Sequence, residues 1–158
     1  MMTESLSSPW PVIAIGVAII AAVLIVASSR YPNLREAWSL IAAVSQLSIV
    51  VSMLPHVLAG KVATANLFSL SPGINVILRA DSFGMVFALL ASFLWILASC
   101  YNIGYMRGLG EHNQTRYYAA FALSLAATMG VAFAGNLLTF VVFYELLTLA
   151  TYPLVVHR

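Results

Sequence analysis

The chain has 158 residues, of which 62% are apolar and only 8% charged, with a formal net charge of +2 and a mean hydropathy of +0.97. A water-soluble domain of this size carries roughly 25% charged residues to cover its surface, so 7 basic and 5 acidic side chains exclude one and point to an integral membrane protein. The small, unclustered positive charge excludes nucleic acid as a partner; the single cysteine, Cys100, excludes an internal disulfide and argues against a cysteine-rich metal site.

A helix crosses the bilayer core with about 20 apolar residues. On that measure the sequence predicts an all-α, polytopic transmembrane bundle of five helices. The first covers about 10–28 and holds no charge. It reads as a retained helix, because the residues before Trp10 carry the acidic Glu4 and none of the basic residues that open a signal peptide. Arg30, Tyr31, Pro32, Asn33 and Arg35 form a polar turn, and the second helix covers about 38–59. The stretch from Gly60 to Ala80 is too polar to cross. Its Ser71-Pro72-Gly73 turn lies between segments that alternate polar and apolar residues, which predicts a short extramembrane β-hairpin between helices two and three. The third helix opens at Asp81, a side chain suited to capping, and covers 82–106. The fourth covers 117–134, Gly135-Asn136 allow a tight reversal, and the fifth covers 137–156. No repeat, low-complexity tract or linker divides the chain, so 1–158 reads as one membrane domain.

Basic residues set the expected orientation. With the N-terminus outside, Arg30, Arg35, Arg107, Arg116 and Arg158 face inward, against Lys61 and Arg79 on the outer side. The positive-inside rule favours this arrangement, with the C-terminus cytoplasmic.

Four of the five acidic residues, Glu4, Glu36, Asp81 and Glu111, fall at predicted ends or loops; Glu145 falls in the middle of the fifth helix. It lies eight residues beyond Leu137, about 12 Å along a helix, close to the midplane of a core about 30 Å thick. An ionised carboxylate there costs at least about 2.5 kcal/mol, so it must be protonated, paired with a cation, or placed beside water. Thr148 and Tyr152, three and seven residues on, share its face. Pro153 frees the carbonyl of Leu149 and can bend the helix. The pattern suits a proton relay or an ion pair with a hydrated exit; the plainer alternative is a protonated acid bonding a neighbouring helix.

Other signals are weaker. Ser45, Ser48, Ser52 and His56 share one face of helix two, where packing contacts are the favoured reading over a proton path and His56 reads as interfacial. Ser92, Ser99, Ser124 and Thr128 read as interhelical contacts, and Cys100 as a small core residue. Gly104 and Gly108 have the small-residue dimer spacing but read as a helix edge beside Arg107. Asn113-Gln-Thr fits the glycosylation pattern but falls on the inner side. Trp10, Trp38, Tyr101, Tyr105, Tyr117 and Tyr118 read as aromatic belts. No zinc spacing, phosphate loop or nucleophile triad is present. No catalytic site, metal or cofactor is therefore expected.

Three blocks carry a resemblance: Leu78-Arg-Ala-Asp-Ser-Phe-Gly-Met; Tyr101-Asn-Ile-Gly-Tyr-Met followed by Arg116-Tyr-Tyr-Ala; and Gly135-Asn-Leu-Leu-Thr-Phe-Val-Val-Phe-Tyr-Glu-Leu-Leu-Thr-Leu-Ala-Thr-Tyr-Pro-Leu-Val. Their order and content resemble the N-terminal third of antiporter-like, proton-translocating membrane subunits. These comprise large components of Mrp-type cation/proton antiporters, the antiporter-like chains of complex I (an NADH-quinone oxidoreductase), and those of membrane-bound hydrogenases. The Thr151-Tyr152-Pro153 ending is most similar to the D-type component of Mrp antiporters. The resemblance implies that Glu145 is the fifth-helix glutamate, which in the family pairs with a lysine on a broken seventh helix to modulate proton loading. It implies that Asp81 is the family's aspartate at the entry to the third helix, with a structural role. It also implies a bacterial inner membrane and a complex of membrane subunits.

The sequence departs from the family in stopping after the fifth helix, so the lysine-bearing helices are missing. The one lysine is Lys61, outside the spans, and Tyr144 stands where the family usually has Trp. A second polypeptide bearing those helices is then the expected partner, with the lipid bilayer. The alternatives are a non-transporting structural or assembly protein, or a truncated remnant.

Overall fold

A computed structural model describes residues 5–110 and 112–156. Five helices, α1 (Trp10–Ala27), α2 (Pro32–Leu58), α3 (Ser82–Leu109), α4 (Gln114–Ala132) and α5 (Leu137–Val155), carry three strands at one end: β1 (Ser5–Ser7), β2 (Val62–Ser71) and β3 (Ile74–Ala80). Four of the helices, α1, α2, α3 and α5, are long and apolar enough to cross a membrane, and the chain is an integral membrane protein.

The remaining helix, α4, is less apolar because its neighbours are other helices. Tyr118, Ala119, Ala120, Ala122, Ser124, Ala126, Ala127, Met129 and Gly130 are all buried, and α1, α3 and α5 pack around it. Its alanines meet a facing row on α1, where Ala14, Ala18, Ala21 and Ala22 are buried. Small side chains let the two backbones approach closely, which is how membrane helices gain packing energy without a hydrophobic drive. A central helix needs no lipid-facing surface, so its hydropathy falls.

The predicted hairpin is present and longer than its turn suggested. β2 pairs antiparallel with β3, and Gly73 sits at the tip with φ of +88°, a conformation that favours glycine. β1 adds a third, parallel strand on β2, an addition without a signal in the residues before Trp10.

Helix α2 begins at Pro32, well before the predicted start at residue 38. Proline suits the first helical turn, where its missing N–H removes nothing, and so Arg35 and Glu36 become buried helical residues instead of a polar turn and a loop. α3 runs on through Gly104 and Gly108 to Leu109 and is ended by Gly110, whose φ is +61°. A Cβ at either of those two helical glycines would meet no atom within 4 Å, so neither makes a close helix contact.

Three further expectations change with the packing. Cys100 is exposed rather than in the core, because the buried face of α3 passes through Ser99 and Asn102 instead. Tyr118 is buried rather than part of an aromatic belt, since it lies on the packed face of α4. On α2, Ser48, Ser52 and His56 are exposed, and the two serines donate back to Val44 O (2.9 Å) and Ile49 O (2.6 Å) of their own helix. The buried face of α2 runs instead through Ser39, Gln46, Val50 and Met53. Ser92, Ser124 and Thr128 likewise bond their own helices, whereas Ser99 meets Ser39 across the α2–α3 interface at 3.3 Å.

Candidate functional site

The start of α5 is fixed from both sides. Asn136 caps it, its Oδ1 accepting from Thr139 N (2.8 Å) and Thr139 Oγ1 (2.6 Å), while its Nδ2 donates to Asn75 O at 2.6 Å. Thr139 Oγ1 in turn accepts from Ile77 N at 2.9 Å, and Gly135 N donates to Ile77 O at 2.8 Å. The α4–α5 reversal thus lies along the free edge of β3, with Leu78 and Ala134 forming a bridge.

Phe143 then sets the rotation of the helix. Its ring lies where a side chain on Gly130 of α4 would be, so only glycine fits there. Glu145, two residues further, is about 200° around the helix and faces away from α4. It is exposed, and its carboxylate has no hydrogen bond or ion pair among the described residues. Thr148 is exposed too and donates to Tyr144 O at 3.1 Å; Tyr152 is 65% exposed. The helix continues through Pro153 to Val155. The three predicted residues therefore share one outward face, and Glu145 lies near the middle of α5; hydrocarbon is a poor neighbour for a carboxylate.

The weaker candidates lie elsewhere. His56 is exposed near the end of α2, its carbonyl accepting from Lys61 N at 3.0 Å. Asp81 caps α3, its Oδ1 accepting from Gly84 N at 2.8 Å. Among the described residues no group of three His, Cys, Asp or Glu side chains could hold a metal ion.

Reasoning from sequence missed a second polar centre, at the opposite end of the bundle from the sheet. Glu36 is 3% exposed and accepts from Arg107: from Nε at 3.1 and 3.0 Å to its two oxygens, and from Nη2, which also donates to Asn33 Oδ1 at 2.7 Å. Beside it, Arg35 donates to Thr115 Oγ1 (2.9 Å) and Gln114 Oε1 (2.6 Å). Its guanidinium carbon lies 5.4 Å from the centroid of the Tyr118 ring, within cation–π range. These contacts tie the start of α2 to the end of α3 and the start of α4. The available signal was Pro32: a helix opening there carries Arg35 and Glu36 inward, opposite the last turn of an antiparallel α3.

No family model matches the chain. It is 28% identical over 151 residues to the D component of the Na(+)/H(+) antiporter of Bacillus subtilis (strain 168), covering 92% of this chain and 29% of that protein. It is 31% identical over 83 residues to the A/B component of a probable K(+)/H(+) antiporter of Rhizobium meliloti (strain 1021), covering 52% of this chain and 8% of the relative. Its fold matches one polypeptide of the membrane-bound sulfane sulfur reductase (MBS), an archaeal respiratory membrane complex, with a TM-score of 0.74 and 19% identity over 92% of this chain and 22% of the other. The chain thus spans less than a third of the length of each of these proteins, all of which are parts of multi-subunit membrane assemblies. With its three sequence blocks and its five-helix fold, the chain is similar to antiporter-like membrane subunits of Mrp-type and related complexes.

Proposed function

We propose that the chain supplies one membrane domain, the first five helices, of an antiporter-like subunit in a proton-translocating complex, most similar to a Mrp-type monovalent cation/proton antiporter. Glu145 is the residue that takes part in transport, as a proton relay or one half of an ion pair, with Thr148 and Tyr152 as its polar neighbours. The observation that carries this reading is a carboxylate near mid-membrane on an exposed helix face without a partner in the described chain. Such a group needs a cation or water opposite it. The lysine-bearing helices of another polypeptide or segment are the proposed source, and other membrane subunits complete the assembly. The excess of arginines at the Arg30 and Arg107 end, against Lys61 and Arg79 at the other, supports an N-terminus outside and a C-terminus in the cytoplasm of a bacterial inner membrane.

Cation-driven proton movement in everted membrane vesicles tests the reading. Glu145→Gln abolishes exchange while the complex still assembles, as judged by co-purification; unchanged exchange overturns the assignment. The structural likeness to a component of a respiratory complex supports a second reading, an antiporter-like subunit of a redox-driven assembly such as complex I or a membrane-bound hydrogenase. In that case co-purified partners carry redox centres and proton movement follows electron donors.

A further inference from the structure

Between α2, α3 and α4 buried polar residues succeed one another from one end of the bundle towards its middle. This file starts at Arg35, Glu36 and Tyr118, passes Asn102, which accepts from Tyr117 OH at 3.2 Å, then the Ser39–Ser99 contact, and ends at Ser92, Gln46 and Trp95. From Glu36 to Gln46 is ten residues of α2, about 15 Å and so half the apolar core. Within this file four buried polar atoms have no hydrogen-bond partner among the described residues: Arg35 Nε, Tyr118 Oη, Gln46 Oε1 and Trp95 Nε1. The residues that carry them are 5%, 1%, 0% and 1% exposed. Buried polar atoms are almost always satisfied, and a bound water is the usual partner where the protein offers none.

Two of the four, on Gln46 and Trp95, lie towards the deep end of the file, and two, on Arg35 and Tyr118, lie at its mouth. α2 and α3 are antiparallel and meet at Ser39 and Ser99. Seven residues on along α2 comes Gln46, seven back along α3 comes Ser92, and Trp95 follows Ser92 by three on the same face. Gln46 Nε2 is already committed to Ala14 O at 2.9 Å, leaving its carbonyl as an acceptor, while the indole N–H is purely a donor. A water can donate to the one and accept from the other. At the other end Arg35 lies over the ring of Tyr118, and a water accepts from Arg35 Nε and from, or donates to, the phenol. We propose that the α2–α3–α4 interface is a hydrated polar file, with internal water bound between Gln46 and Trp95 at its deep end and between Arg35 and Tyr118 at its mouth. The file is separate from the outward face that carries Glu145.

The deep level is tested by ultraviolet resonance Raman spectroscopy on the full chain in lipid nanodiscs, with Trp10→Phe and Trp38→Phe leaving Trp95 as the sole indole. The expected indole marker is that of a hydrogen-bonded N–H, and Gln46→Leu shifts it towards the free position. A free N–H in the parent, or a bonded marker unmoved by Gln46→Leu, overturns the deep site. The mouth is tested by Tyr118→Phe, which removes the hydroxyl alone. A bound water predicts a lower midpoint of thermal unfolding; an equal or higher midpoint, the behaviour of a dry unpaired hydroxyl, overturns the mouth site.

Discussion

Replacing Thr139 by Val tests how the sheet positions α5. The Thr139 side chain is fully buried; its hydroxyl accepts from Ile77 N and donates to the capping Asn136. Valine keeps nearly the same shape and removes both bonds. The Ile77 N–H then loses its acceptor, which costs about 1–3 kcal/mol for a buried donor, and the cap loses one of its two local contacts, about another 0.5 kcal/mol of the roughly 1 kcal/mol a cap contributes. A total of about 1.5–3.5 kcal/mol corresponds to an acceleration of roughly tenfold to several hundredfold in amide exchange at Ile77, at about 1.4 kcal/mol per factor of ten. Hydrogen–deuterium exchange with mass spectrometry on peptides spanning β3 and the start of α5 reads this directly. Thr139→Ser retains the hydroxyl and keeps most of the protection. Unchanged exchange at Ile77 in Thr139→Val, with the chain folded, refutes the claim that this bond anchors the α4–α5 reversal to the hairpin.

Two other perturbations follow from the packing. Gly84→Ala places a Cβ against the backbone carbonyl oxygen of Ala132, a contact that cannot yield as a side-chain tip can. The expected destabilisation is about 1–3 kcal/mol from overpacking, seen as a lower thermal midpoint in detergent; an unchanged midpoint means that α3 and α4 are further apart than described. Arg107→Met leaves the buried Glu36 carboxylate without its cation, whereas the double variant Glu36→Leu/Arg107→Met removes both charges together. Thermal unfolding of the single variant is expected at a lower midpoint than that of the double, because an unpaired buried charge is costlier than an apolar pair. The reverse order would show that the pair contributes nothing through its burial.

Much of the fold is legible in the sequence because the bilayer imposes simple demands. Long uncharged runs such as that of α1, the Pro72-Gly73 turn, the capping residue Asp81 and the Gly135-Asn136 reversal each announce an element or its end through local chemistry. Helix ends are less legible where polar residues are buried by partners far along the chain. Arg35 and Glu36 read as a solvated turn because their partners, Thr115, Gln114 and Arg107, lie more than seventy positions away. Ser48 and Ser39 show the same limit within one helix: hydroxyls at helical spacing do not reveal which of them faces a neighbour.

What the sequence determined by itself is the membrane class, the helices and the hairpin, and the presence of one acid at mid-span, because these depend on composition and local order alone. The tertiary structure decided which way each polar residue faces. Phe143 against Gly130 turns Glu145 outward, and the antiparallel packing of α2 on α3 brings Ser39 to Ser99 and buries Gln46 and Trp95. The physical reason is that rotation of a helix about its axis is set by close packing against neighbours distant in the chain, and no local signal carries that information.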